Sequence, residues 1–207
     1  MQNIKNIVAV ASGKGGVGKS TTTVNLALAM AAEGYRVGVL DADIYGPSMG
    51  TMLGVAPTTR PEPSGENAMK PVMAHGLEVM SIAFLIDDSQ PMVWRGPMAS
   101  GALQQLVTQT QWGALDFLFI DMPPGTGDIQ LTISQKVPVS GAVIVTTPQD
   151  IALLDARKGI EMFRKVDIPV LGIVENMSVH ICSQCGHAEE IFGSGGGADL
   201  SRTYGAP

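Results

Sequence analysis

Cysteine is scarce in this chain, with two among 207 residues, and charged residues make up only 15%. Long apolar runs are missing too. The longest, such as Leu26 to Ala32 and Phe117 to Ile120, fall far short of the roughly 20 residues a membrane-spanning helix requires, so no membrane association is expected. No basic leader with an apolar segment and cleavage site precedes the first strand-like segment, and the expected location is cytoplasmic. Basic excess is also absent. The formal net charge is −6, whereas a general nucleic-acid surface announces itself by positive charge, so no nucleic-acid partner is expected. One local exception, Arg157, Lys158, Arg164 and Lys165, falls on a predicted helix and reads as a solvated face. What is plentiful is apolar: 45% hydrophobic residues over this length suit one domain with a sizeable core.

Apolar, β-rich runs recur between helical stretches. Strands are predicted near Asn6 to Ser12, Arg36 to Asp43, Leu77 to Phe84, Asp116 to Met122, Gly141 to Thr147 and Val170 to Asn176. Most are continuously apolar rather than alternating, which implies burial on both faces. The expected fold is therefore α/β, a parallel β-sheet flanked by helices on both faces. Helices are predicted at Ser20 to Glu33, Pro97 to Trp112, Gly127 to Val137 and Ile151 to Val166. Val55 to Ala74, rich in Pro and Gly, reads as a long surface loop. No internal repeat is present.

The most informative stretch is Gly13-Lys14-Gly15-Gly16-Val17-Gly18-Lys19-Ser20-Thr21, which fits the phosphate-loop pattern GxxxxGK[ST]. It lies between a predicted strand and a predicted helix, where its chemistry needs it. Glycines let backbone N–H groups approach phosphates at a helix N-terminus that already favours anions. Lys19 would lie on the β- and γ-phosphates and the Ser20 hydroxyl would ligate Mg²⁺. An ordinary phosphate loop needs no cation at position 14, so Lys14 carries extra information.

With Lys14 included, GKGGVGKST resembles the deviant Walker A (SIMIBI-class) ATPases, the family of nitrogenase iron protein and of septum-site and plasmid-partition ATPases. The resemblance implies a nucleotide-sandwich homodimer in which Lys14 reaches the partner's phosphates, as an arginine finger does elsewhere. Leu40-Asp41-Ala42-Asp43 ends the second predicted strand at the ligand-facing edge of a parallel sheet. A turn-capping aspartate is the plain alternative. The resemblance makes Asp43 the residue that positions the attacking water, with Asp41 supporting Mg²⁺ or the loop. Phe117-Leu118-Phe119-Ile120-Asp121 has the shape of a Walker B strand, so Asp121 would hold Mg²⁺, and Gly125 in the following Met122 to Asp128 loop would let an N–H approach the γ-phosphate. No [NT]KxD segment of the guanine-reading kind is present, which favours ATP. Asn176 matches the place where family members recognise adenine; a strand-end amide satisfied by backbone is its alternative.

The two cysteines form one CxxC, Cys182 and Cys185, inside His180-Ile181-Cys182-Ser183-Gln184-Cys185-Gly186-His187. Three readings stay open on spacing alone. They are a zinc site with His180 and His187, a redox dithiol, and an iron–sulfur cluster shared by two chains, since one chain supplies two of the usual four thiolates. WRGPM at 94–98, DFLFIDMPPGTGDIQLT at 116–132, VENMS followed by the CxxC, and IFGSGGG at 191–197 together resemble the Mrp/ApbC subgroup of iron–sulfur cluster carriers. That resemblance implies a [4Fe-4S] cluster bridging two subunits through Cys182 and Cys185, then passed to apo iron–sulfur proteins. The family's ATPase core continues past the GGG segment, so residues 1–207 are expected to form a single P-loop domain lacking its final strand and helix. The rival expectation is a positioning switch like the septum-site and partition ATPases, without a cluster.

Overall fold

The computed structural model describes residues 3–65, 67–85 and 96–207. Nine strands and six helices follow in chain order among the described residues: β1 (Ile4–Ala11), α1 (Lys19–Ala32), β2 (Val37–Asp41), α2 (Met49–Met52), β3 (Val72–Ala74), β4 (Leu77–Ser81), α3 (Gly96–Gln109), β5 (Leu115–Asp121), α4 (Asp128–Lys136), β6 (Gly141–Thr146), α5 (Asp150–Lys165), β7 (Val170–Glu175), β8 (His180–Ile181), β9 (Ala188–Glu189) and α6 (Gly196–Tyr204). Seven strands form one sheet in the order β3-β4-β2-β5-β1-β6-β7. Every neighbouring pair is parallel except β3 with β4.

Successive strand residues point to opposite faces, so a run buried at every position needs cover on both. All five residues of β2 are buried, as are Ile7 to Ala11 of β1. Helices supply the cover: α1 packs on β1, β2 and β5, α5 on β6, and α6 on β7. The ridge where β1 sits between β5 and β6 puts the turn into α1 at the middle of the sheet's carboxyl edge.

Two expectations change. The predicted strand from Leu77 ends at Ser81, because the Ser81 hydroxyl accepts the Ala83 N–H at 3.2 Å and starts a 3₁₀ turn over Ile82–Phe84. The predicted loop through Ala74 closes with β3, which folds back on β4 through His75 (φ 49°) and Gly76 (φ 78°). Two successive positive φ values are what a tight hairpin of this hand requires. The β8–β9 hairpin, α2 and α6 are short elements that periodicity did not announce. In the WRGPM motif, Trp94 and Arg95 lie outside the described residues, and α3 begins at Gly96.

The basic residues of α5 behave as a solvated face. Lys158 pairs with Asp155 at 2.9 Å, and the exposed Arg164 guanidinium lies 5.7 Å from the centre of the Tyr204 ring.

Candidate nucleotide site and cysteine hairpin

The carboxyl ends of β1, β2, β5 and β7 bring the predicted residues to one edge. Ser12 to Gly18 make the turn from β1 into α1, with Gly16 at φ 81° and Gly18 at φ 88°, conformations that glycine adopts without a Cβ penalty. A cavity of about 210 Å³ opens there, lined by Ser12, Gly15, Gly16, Gly18, Lys19, Ser20, Thr21, Asp43 and Pro124. Gly13 and Val17 support it from behind. A Cβ on Gly13 would stand 2.2 Å from the Asp155 backbone of α5, and the Val17 side chain is buried in the core.

Charge converges on this cavity. The Lys19 ammonium, 6% exposed, donates to Asp121 Oδ2 at 2.8 Å and lies 3.5 Å from Asp43 Oδ2. Ser20 Oγ donates to the same Asp121 oxygen at 2.6 Å, and Thr23 Oγ1 donates to Asp121 Oδ1 at 2.7 Å. A hydroxyl and a carboxylate held together at a phosphate-sized cradle form the hard-oxygen donor set that suits Mg²⁺. Burial raises the Asp43 carboxyl above its ordinary range, the Lys19 cation lowers it, and Asp121 raises it again. The Lys14 side chain stands apart. It is half-buried, and among the described residues it makes no ion pair, although its backbone carbonyl accepts from Ser12 Oγ at 2.9 Å.

Of the two roles expected for Asp41, support of Mg²⁺ or of the loop, its surroundings favour the loop. It is fully buried, and four donors already occupy its oxygens: the Asp43 N–H at 3.2 Å, the Ser48 and Met49 N–H groups at 2.9 and 3.0 Å, and Ser81 Oγ at 3.1 Å. It anchors the loop from β2 into α2. Gly125 (φ 98°) donates its N–H to the Ser12 carbonyl at 2.9 Å, so a phosphate contact there requires exchange of that bond. The Asn176 side chain donates from Nδ2 to the Val17 carbonyl at 2.9 Å, tying the end of β7 to the phosphate loop.

The CxxC sits on the β8–β9 hairpin, beyond β7. Cys182 N–H donates to the His187 carbonyl and Gly186 N–H to the Cys182 carbonyl, both at 2.9 Å, and Gly186 takes φ 73°. The backbone N–H groups of Cys185 and Gln184 point at the Cys182 sulfur and hold its thiol below the usual range. Cys182 is half-buried and Cys185 exposed. No group of three or more His, Cys, Asp and Glu able to hold a metal forms among the described residues, so the structure does not assemble His180 and His187 with the two thiols.

The family profile described as ParA, NUBPL iron-transfer P-loop NTPase, matches residues 3–207. The chain belongs to this family. A Pseudomonas fragi protein named iron–sulfur cluster carrier protein is 73% identical over 205 residues, covering 99% of this chain and 71% of its own. The Escherichia coli K12 protein of that name is 65% identical over 204 residues, covering 99% and 55%. The mouse iron–sulfur cluster transfer protein NUBPL is 54% identical over 205 residues, covering 98% and 64%. The chain thus spans between about half and seven-tenths of these relatives' length. Among solved structures, a nucleotide-binding protein from Archaeoglobus fulgidus in complex with ADP superposes at TM-score 0.87 with 40% identity, covering all of this chain and 80% of that one. The Pyrococcus furiosus cell division ATPase MinD, at TM-score 0.64 and 22% identity over 98% of this chain and 80% of that one, shares the fold. Among the described residues no helix is long and apolar enough to cross a membrane.

Thr23 and Ser81 are site-supporting residues that motif reading missed. Thr23 had a visible signal, standing one turn after Lys19 on the helix face that meets β5. Asp41 also yields a prediction. Burial, with the nearby Asp121 charge adding to it, raises its carboxyl from 3.8 to about 6 despite the donors around it. The folded state therefore holds this proton more tightly than the unfolded chain. Its contribution to stability is complete below pH 4 and is lost as pH rises through about 6, by roughly 3 kcal/mol at most. Urea midpoints measured between pH 4 and pH 7 should show that decline, and Asp41→Asn should flatten it.

Proposed function

We propose that this chain is the ATPase core of an iron–sulfur cluster carrier. In this reading it is a homodimeric, Mg²⁺-dependent ATPase that holds a [4Fe-4S] cluster as cargo between two subunits and passes it to apo iron–sulfur proteins. The observation that carries the reading is the Cys182–Cys185 pair, one thiol half-buried and one exposed, without a third ligand among the described residues, at the same sheet edge as the phosphate loop. Four thiolates then require a second copy. The names of the relatives support the cargo, and the ADP in the Archaeoglobus fulgidus complex supports the nucleotide.

The residues take the following parts. Gly15, Gly16, Gly18 and Thr21 cradle the phosphates, and Lys19 exchanges its contact with Asp121 for the β- and γ-phosphate oxygens. Ser20 and Asp121 would hold Mg²⁺, which when bound neutralises charge on the transferring phosphoryl group. Asp43, on the cavity wall, orients the water whose oxygen attacks the γ-phosphorus as the bond to the ADP oxygen breaks. Lys14, without an ion pair among the described residues in its own subunit, serves the partner's phosphates in this reading. Asn176 stands near the adenine while holding the phosphate loop. Residues 1–207 are read as one P-loop domain, whose last residue returns to the sheet: the Ile173 N–H of β7 pairs with the Pro207 carbonyl at 2.9 Å.

The test is anaerobic reconstitution of the full chain with iron and sulfide, followed by light scattering. The expected species is a dimer with broad visible absorbance and about two iron atoms per chain. A protein that remains monomeric with iron and MgATP both supplied would defeat the proposal. The positioning-switch alternative predicts instead that liposomes or DNA capture the ATP form in a salt-dependent manner.

A further inference from the structure

Glu175, the last residue of β7, lies outside the nucleotide and thiol chemistry described above, yet its carboxylate is the meeting point of two chain segments. Ser178 Oγ donates to Glu175 Oε1 at 3.1 Å and to its backbone carbonyl at 2.9 Å. The Gly195 N–H donates to Oε1 at 3.0 Å, and the Gly197 N–H donates to Oε2. Ser178 is on the segment leading out to the cysteine hairpin and Gly195 is on the segment returning from it. One side chain therefore clamps both stems.

The hairpin has little else to fix it. Every residue from Ser183 to Gly195 is exposed, so the direction in which Cys182 and Cys185 point is governed by the stems. The glycines on the return have distinct requirements. Gly195 takes φ 82°, a Cβ on Gly196 would stand 2.3 Å from Leu153 Cδ1, and one on Gly197 would stand 2.9 Å from Glu175 Cβ. This close seating presses the start of α6 against both β7 and α5.

Those two elements also touch the phosphate loop. Asn176, next to Glu175, donates to the Val17 carbonyl, and its Nδ2 lies where a Cβ on Gly18 would be, 2.2 Å away. On the other path, α5 seats Gly13 against Asp155 and Gly196 against Leu153. Between Asn176 and Ser178 the chain turns at Met177 with φ 59°, a costly conformation for a residue with a side chain, held by the bonds on either side. Contacts without slack pass on displacement instead of absorbing it.

We propose that Glu175 is a positioning residue that transmits the nucleotide state of the phosphate loop to the orientation of the Cys182–Cys185 hairpin. This rests on the carrier reading and deepens it. A shift of the Val17–Gly18 backbone on nucleotide binding moves Asn176, and the neighbouring carboxylate carries both hairpin stems with it. Removing the carboxylate frees the stems while leaving the phosphate cradle and both thiols in place.

The readout is the rate at which iodoacetamide alkylates the two thiols in the iron-free full chain, with and without MgADP or MgATP. Wild type is expected to change rate by roughly threefold or more on nucleotide binding. In Glu175→Ala the rates with and without nucleotide should converge, while nucleotide affinity stays within about threefold. Ser178→Ala, which loosens only the outgoing stem, should give a partial response and guards against a folding defect in the first variant. Thiols in wild type that ignore bound nucleotide, or a full response in Glu175→Ala, would overturn the inference and leave the carrier reading standing. Absence of any nucleotide binding by wild type would overturn both.

Discussion

Lys14→Ala is expected to lower ATP turnover by about 10³-fold or more while changing nucleotide affinity by less than about tenfold. Charge on the transferring phosphoryl group grows and spreads in the transition state, so a cation delivered there is worth most at that moment. In the proposed mechanism ground-state binding rests elsewhere, on the glycine N–H groups and on Lys19. Lys14 is free of ion pairs among the described residues, so its removal should leave the Lys19–Asp121–Ser20 cluster undisturbed. Single-turnover hydrolysis against equilibrium binding separates the two effects. Mixing supplies a sharper check, because a subunit lacking Lys14 keeps its own Asp43. When Lys14→Ala is mixed with Asp43→Ala, half of the dimers carry one complete site, and about a quarter of wild-type turnover should return. Turnover that stays lost on mixing would rule out action across the interface. Turnover near wild type in Lys14→Ala alone would remove this residue from the mechanism altogether.

Replacing both Cys182 and Cys185 by serine should reduce reconstituted iron from about two atoms per chain to background. Serine keeps the size of the side chain but removes the soft thiolate that would hold iron. The hairpin is exposed and contributes little to the core, so melting behaviour should remain within about 0.5 kcal/mol of wild type. ATP turnover should persist, because neither sulfur lines the phosphate cavity. Counting iron, sulfide and zinc on the same samples decides between metals. Equal iron and sulfide lost together in the variant is the expected outcome, and unchanged iron would place the cargo elsewhere.

Much of this arrangement was legible in the residues. The Gly13–Thr21 pattern specifies a turn whose backbone must come close to phosphate, and glycine is the residue type that permits it. Continuous apolar runs such as Val37 to Leu40 announce strands covered on both sides, and that cover produced the parallel sheet. The CxxC declared itself by spacing alone, because two thiols three positions apart can face one centre in almost any turn. Local order along the chain is enough for each of these.

Other features depend on distant partners. Asp41 and Asp43 look equivalent in Leu40-Asp41-Ala42-Asp43, but β2 ends at Asp41, so the first is sealed by donors from Ser48, Met49 and Ser81 while the second reaches the cavity wall. Asn176 meets Val17 across 159 residues, and Glu175 closes the hairpin on Gly195 and Gly197. The sequence by itself determined the chemistry available, a phosphate cradle and a pair of thiols on a doubly covered sheet, because those need only local geometry and burial pattern. Tertiary structure alone decided which carboxylate serves the cavity and which joins the two sites, because a side chain's role follows from the donors that the folded sheet brings against it.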